Sequence, residues 1–212
     1  MKIINPSIEI LDAPDYGKML KKIERIGRMC YKSEDKIGEN TAESFIRGII
    51  KRGHESVIEH ESISVKVICD RGVTHEIVRH RIASYSQEST RYCNYSGEKF
   101  GKEITVIEPC FLVPGTEGYA YWKHGCEQAE AAYFDMLNWG CSPQEARSVL
   151  PNSLKTEIVM TMNLREWRHF IRLRGSRAAH PQIRQIADMI RAVFVYNYPV
   201  FFEDLEGDYG DE

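Results

Sequence analysis

Two stretches of strict alternation, Ser62 to Cys69 and Thr156 to Met162, each give way within a few residues to a helical pattern. No other feature limits the possible folds as much. In the first stretch Ile63, Val65, Val67 and Cys69 fall on one face and Ser62, Ser64 and Lys66 on the other; in the second Ile158, Met160 and Met162 share a face. Both read as half-buried strands. After the first, Val73 to Ile82 reads as a helix that delivers Arg79, His80 and Arg81 to a polar loop running from Ser84 to Arg91. After the second, Asn163 with Glu166 reads as the cap of an arginine-rich helix ending near Gly175.

The remaining segments supply helices to cover such a sheet. Residues 14 to 30 place Tyr16, Met19, Leu20, Ile23, Ile26 and Cys30 at helical spacing. A second helix is expected from Asn40, with Glu43 completing a capping box, and stops at Gly53. Residues 118 to 138 carry Trp122, Cys126, Ala129, Tyr133 and Met136 on one stripe. Ser142-Pro143-Gln144-Glu145 opens a short helix that bears Arg147, and Pro181 opens a long one reaching about Tyr196. Strands and helices without strict alternation predict an α+β fold, with a mostly antiparallel sheet packed against helices. With no repeat or linker, residues 1–212 are expected to form a single domain with an acidic C-terminal tail at about 203–212.

The net charge of −3 hides an asymmetry, because that tail holds six acids and no base, and the rest of the chain is positive. Residues 165 to 191 carry seven arginines against Glu166 and Asp188, which suggests either an anionic ligand or a solvated basic face. Trp167, Phe170, Ile171 and Arg174 share one helix face, so Arg174 rises from an apolar side where an unpaired charge is costly and needs an anionic partner. Arg165, His169 and Arg172 form a second basic surface. The six cysteines include no close pair and read as reduced core thiols, and His54 and His60 lack the spacing of zinc ligands, so no metal is expected. The opening residues lack the apolar core of a signal peptide, and no run approaches the ~18 apolar residues of a membrane span, so the expectation is a soluble, cytoplasmic protein. Glycine-rich dinucleotide fingerprints are absent, which does not support a doubly wound fold.

Two arginines flanking a histidine present planar forks suited to phosphate oxygens, and the Ser89 hydroxyl with the Arg91 fork can complete an anion cradle. A bare Arg-His-Arg is also compatible with an ordinary helix end. Arg79-His80-Arg81, seven intervening residues, Ser89 and Arg91 together resemble the signature of flavin-dependent thymidylate synthases. The resemblance extends upstream to Gly53-His54-Glu55-Ser56 with Glu59-His60. Downstream it takes in Arg147-Ser148-Val149-Leu150-Pro151 and Asn163-Leu164-Arg165 through Leu173-Arg174, covering roughly residues 14 to 200.

That resemblance implies a reductive methylation of deoxyuridylate (dUMP) at carbon 5 to dTMP. Methylenetetrahydrofolate would be the carbon donor, NADPH the reductant and FAD the carrier of hydride and one-carbon unit. It implies FAD contacts at Ser56, Arg79, His80, Arg81, Gln87, Asn163, Arg165 and His169, with His54 nearby. It implies a dUMP site at Glu76, Arg79, Gln87, Glu88, Ser89, Thr90, Arg91, Arg147 and Arg174, with Ser89 and Arg91 on the phosphate. Ser89 is then a ligand rather than a nucleophile, and Arg174 the catalytic cation that stabilises the ionised uracil ring. Family members are homotetramers acting on small molecules, without nucleic acid. Glu76 and Gln87 stand where other members often carry Gln and Glu, and both keep a hydrogen-bond acceptor. Two other readings are an RNA-binding module using Tyr85, Tyr92 and Tyr95, opposed by the acidic tail and a pI near 6.2, and a flavoprotein reductase, which leaves Arg147 and Arg174 without a purpose.

Overall fold

The computed structural model describes residues 1–11 and 13–205. Among them the strands are β1 (Lys2–Ile4), β2 (Ser7–Leu11), β3 (Ser62–Asp70), β4 (Ala83–Gln87), β5 (Thr105–Ile107) and β6 (Lys155–Asn163). The helices are α1 (Tyr16–Tyr31), α2 (Ala42–Lys51), α3 (Arg71–Ile77), α4 (Glu117–Asn138), α5 (Pro143–Ala146), α6 (Leu164–Gly175), α7 (Pro181–Asn197) and α8 (Pro199–Phe202). An antiparallel sheet of order β2-β3-β6-β4 packs against helices, so the expected α+β class holds. β1 and β5 form a separate parallel pair, with Lys2 opposite Thr105 and Ile4 opposite Ile107.

The chain divides into two compact units. The first comprises residues 1–7, 67–79 and 85–159; the second takes residues 8–66, 80–84 and those from 160 onward. β3 and β6 each contribute residues to both. In the first unit Tyr95, Ile104, Val106, Cys126, Tyr133, Ala146 and Leu154 form a buried cluster. In the second, Trp167 meets Phe194 edge-on with ring centroids 5.2 Å apart, and Ile23, Ile46, Ile49, Ile183 and Phe201 are wholly buried. Both long strands keep the predicted alternation: Ile63, Val65, Val67 and Cys69 are buried, as are Ile158, Met160 and Met162.

Three local expectations are corrected. α3 stops at Ile77 rather than Ile82, because the phenol of Tyr85 donates to the Ile77 carbonyl at 2.9 Å and takes up one of the orphan acceptors of a helix end. The segment expected as a polar loop from Ser84 begins instead as β4, with Ala83, Tyr85 and Gln87 turned inward and Ser84 and Ser86 exposed. α2 starts at Ala42 without the capping box: the Thr41 hydroxyl accepts from the Gly38 amide, and Glu43 pairs with Arg47 four residues on. Its far end does fall at Gly53, whose φ of +73° favours glycine. Of the C-terminal tail, Glu203 and Asp204 are described and 206–212 lie outside the described residues.

Candidate active site

In the first unit, Asp70 ends β3 and caps α3, its carboxylate accepting from the Val73 amide at 2.7 Å. The seven-residue helix then releases Arg79, which is exposed and donates from Nε to the His75 carbonyl. Beyond β4 the chain is held by its own side chains. Gln87 donates its amide nitrogen to the hydroxyls of Thr74 and Thr156, each at 3.2 Å, which leaves its carbonyl oxygen as the end that can accept from a ligand. Glu88 directs its carboxylate to Lys155 Nζ at 3.1 Å, and the Tyr95 phenol donates to it at 3.4 Å. The buried Thr90 hydroxyl accepts from Arg147 at 3.2 Å. Ser89 accepts from the Arg91 amide through its hydroxyl, and the exposed Arg91 guanidinium lies over the Tyr92 ring. Arg79, Ser89, Arg91 and the outer edge of Arg147 are thus the groups of this unit best placed to meet an anion. A cavity of about 380 Å³ is walled in part by Glu88, Tyr95 and Lys155. Burial pushes the thiol of Cys93 up, with Glu88 adding to the effect, so it is poorly suited to be a thiolate nucleophile.

In the second unit Asn163 repeats the role of Asp70, its side-chain oxygen accepting from the Glu166 amide at 2.9 Å at the start of α6. The cap is the one expected from sequence, but the Glu166 side chain has another use. It meets His80 Nδ1 at 2.8 Å, while Arg174 donates from Nε to His80 Nε2 at 3.1 Å. His80 is nearly wholly buried, with its ring centroid 4.9 Å from that of Phe170 and 5.4 Å from that of His169. Burial is the main force lowering its pKa; Glu166 opposes this, and Arg174 and His169 reinforce it. The imidazole is therefore held neutral.

A cavity of about 450 Å³ in the same unit is walled by Glu55, Glu59, Ile82, Asn163, Arg165, Glu166, His169 and Arg172. It gathers three of the expected flavin contacts, Asn163, Arg165 and His169. Ser56 lies exposed on the short turn between Glu55 and Glu59, and Arg81 is exposed beside Ile82. His54 stacks on Tyr31 and hydrogen-bonds to its phenol.

The arginine excess of this region finds much of its counter-charge inside the chain. Arg168 is fully buried, forks onto Asp204 at 2.5–2.6 Å and donates to Glu55 at 3.0 Å; Arg172 adds longer pairs to the same two acids. Arg165 pairs with Glu59 at 2.6 Å in the open. Arg168 was not singled out from sequence, because its partners lie more than a hundred residues away or in the C-terminal turn. His80, Glu166 and His169 also present ligand atoms within 4.8 Å of one another, a spacing a metal ion could use. The Arg174 guanidinium against His80 makes that corner hostile to a second cation. Among the described residues no helix is long and apolar enough to cross a membrane.

The family model described as thymidylate synthase complementing protein matches residues 15–200. A flavin-dependent thymidylate synthase of Pyrococcus furiosus is 38% identical over 162 residues, which cover 76% of this chain and 66% of that relative; the chain thus spans about two thirds of its length. One from Mycolicibacterium gilvum is 36% identical over 95% of this chain and 84% of the relative. The crystal structure of a UMP/dUMP methylase, PolB from Streptomyces cacaoi, bound with 5-Br dUMP, matches the fold with a TM-score of 0.79 at 24% identity, covering 97% of both chains. This chain belongs to the thymidylate synthase complementing protein family, the flavin-dependent thymidylate synthases.

Proposed function

We propose that the chain converts dUMP to dTMP by flavin-dependent reductive methylation at carbon 5, with methylenetetrahydrofolate as carbon donor and NADPH as reductant. The observation that carries this reading, beside family membership, is Arg174: a cation at the end of α6 whose Nε is fixed by a neutral, buried imidazole. Ionising the uracil ring enriches carbon 5 in electrons, and a preorganised cation stabilises the ionised form.

The lining of the second unit suits part of a flavin dinucleotide in its chemistry. Its 450 Å³ cavity falls within the ~300–1,000 Å³ of ligand sites, with the Arg165 and Arg172 forks for pyrophosphate oxygens and Ile82 for an apolar ring edge. Ser56, His80, Arg81, Asn163, Arg165 and His169 of this unit would hold it, and Arg165 would exchange its exposed pair with Glu59 for the phosphates. Once bound, the flavin supplies hydride and one-carbon transfer. In the first unit Arg79, Ser89, Arg91 and Arg147 would grip the nucleotide, with Ser89 and Arg91 on the phosphate. Gln87 and Glu76 would address the uracil edge. Glu88 and Thr90 would act by holding the segment through Lys155 and Arg147. The same reading makes residues 1–212 one catalytic domain of a cytoplasmic homotetramer that acts on small molecules without nucleic acid.

The test is titration of the purified protein with FAD, followed by dUMP. The expected result is a bound, yellow flavin whose absorption envelope shifts on addition of dUMP; no retained flavin, or no response to dUMP, would count against the reading.

A further inference from the structure

We propose that Glu166 is a positioning residue, acting through the His80 imidazole to aim the Arg174 guanidinium. The proposal rests on the catalytic role of Arg174 given above. A guanidinium Nε–H only donates, so the 3.1 Å bond requires a lone pair on His80 Nε2. The ring proton of a neutral imidazole then sits on Nδ1, where Glu166 accepts it at 2.8 Å. One carboxylate thereby fixes the tautomer of one imidazole, and the tautomer fixes the direction of one arginine.

Glu166 and Arg174 stand eight residues apart on α6, about 12 Å of helical rise, too far for a direct bond. His80, the middle residue of Arg79-His80-Arg81, closes that gap. The Glu166 side chain is not needed as a cap, since Asn163 serves that end of the helix. Phe170 and His169 flank the ring, which limits its rotation. Protonating His80 would set an N–H against the Arg174 N–H and add a like charge in a buried place, so the brace works only while the ring is neutral. Among the described residues, Glu166, His169 and Arg174 are charged or titratable groups that act on the ring. No proton moves in the catalytic cycle through this path; the role is orientation.

The test has two arms. In protein labelled with ¹⁵N-histidine and reconstituted with FAD, the His80 resonances, identified by their loss in His80→Gln, should show Nδ1 protonated and Nε2 bare at neutral pH. The opposite tautomer, or an imidazolium, overturns the proposal whether or not the enzyme turns over dUMP. In the second arm Glu166→Ala should lower kcat by at least about tenfold, the scale of one charge-assisted hydrogen bond. In an Arg174→Ala background the same change should cost nothing further, whereas additive losses overturn the proposal. Glu166→Gln, which keeps the shape, should move the acid limb of the kcat profile to lower pH, because the carboxylate no longer favours the imidazolium. A uniform loss without that shift would mean a merely structural role. A parent enzyme inactive on dUMP would sink the proposed function, while the tautomer would still decide the brace.

Discussion

The two strand-to-helix junctions are built alike and used differently. At the first, Asp70 caps a seven-residue helix that ends early and leaves Arg79 exposed; at the second, Asn163 caps a twelve-residue helix whose arginines are largely answered from within the chain. Arg168 is sealed by Glu55 and Asp204, and Arg174 is tied to His80, whereas Arg81 and Arg91 face solvent. The same residue type thus serves two ends. An exposed guanidinium is available to an anionic ligand at little structural cost, while a buried one sets the shape of the site wall.

The sharpest way to break this contrast is Arg174→Ala, which should lower kcat by about 10²–10³ while flavin stays bound, the scale of removing one preorganised electrostatic group. Near-normal turnover would place the catalytic charge elsewhere. Next, Arg168→Met should destabilise the protein by about 3 kcal/mol, because it removes the fully buried partner of Glu55 and Asp204, whereas Arg81→Gln should change stability by no more than about 0.5 kcal/mol. Chemical denaturation of the two variants reads the difference, and equal losses would erase the distinction. The caps come third: Asn163→Ala should cost about 1 kcal/mol and the more buried Asp70→Ala up to about 2.

Acidification should probe the second junction in particular. The folded pKa of His80 is lowered, so the unfolded chain takes up its proton first, and this part of the stability is lost as pH falls below the ordinary histidine range. Asp204 acts in the same direction at lower pH: burial would raise its carboxyl, but Arg168 holds it below the usual value, so its contribution fades as it protonates. His80→Gln should flatten the first part of the acid decline in melting temperature.

Much of this was legible in the chain itself. β3 and β6 show plainly because their alternation is driven by one-sided burial, and the Asn163 cap follows from a short polar side chain placed before a helical pattern. β4 was hidden because Ser84, Tyr85, Ser86 and Gln87 are polar; their order comes from bonds to Ile77, Thr74 and Thr156 rather than from apolar drive. Arg168 was legible only as one of seven arginines, and the fold of Phe201 to Asp204 over it gives it a buried role. Glu166 was readable as part of a cap, yet nothing local pointed its side chain at a histidine 86 positions earlier. The arginine-rich segment illustrates the general limit: charge counting detected the excess, but could not separate charges neutralised at long range from those left for a ligand.

The most direct measurement of the central claim is tritium release from dUMP labelled at carbon 5. With FAD-loaded protein, release should require both methylenetetrahydrofolate and NADPH and should match the dTMP formed. Equal release without the folate, or none with all components present, would contradict the account.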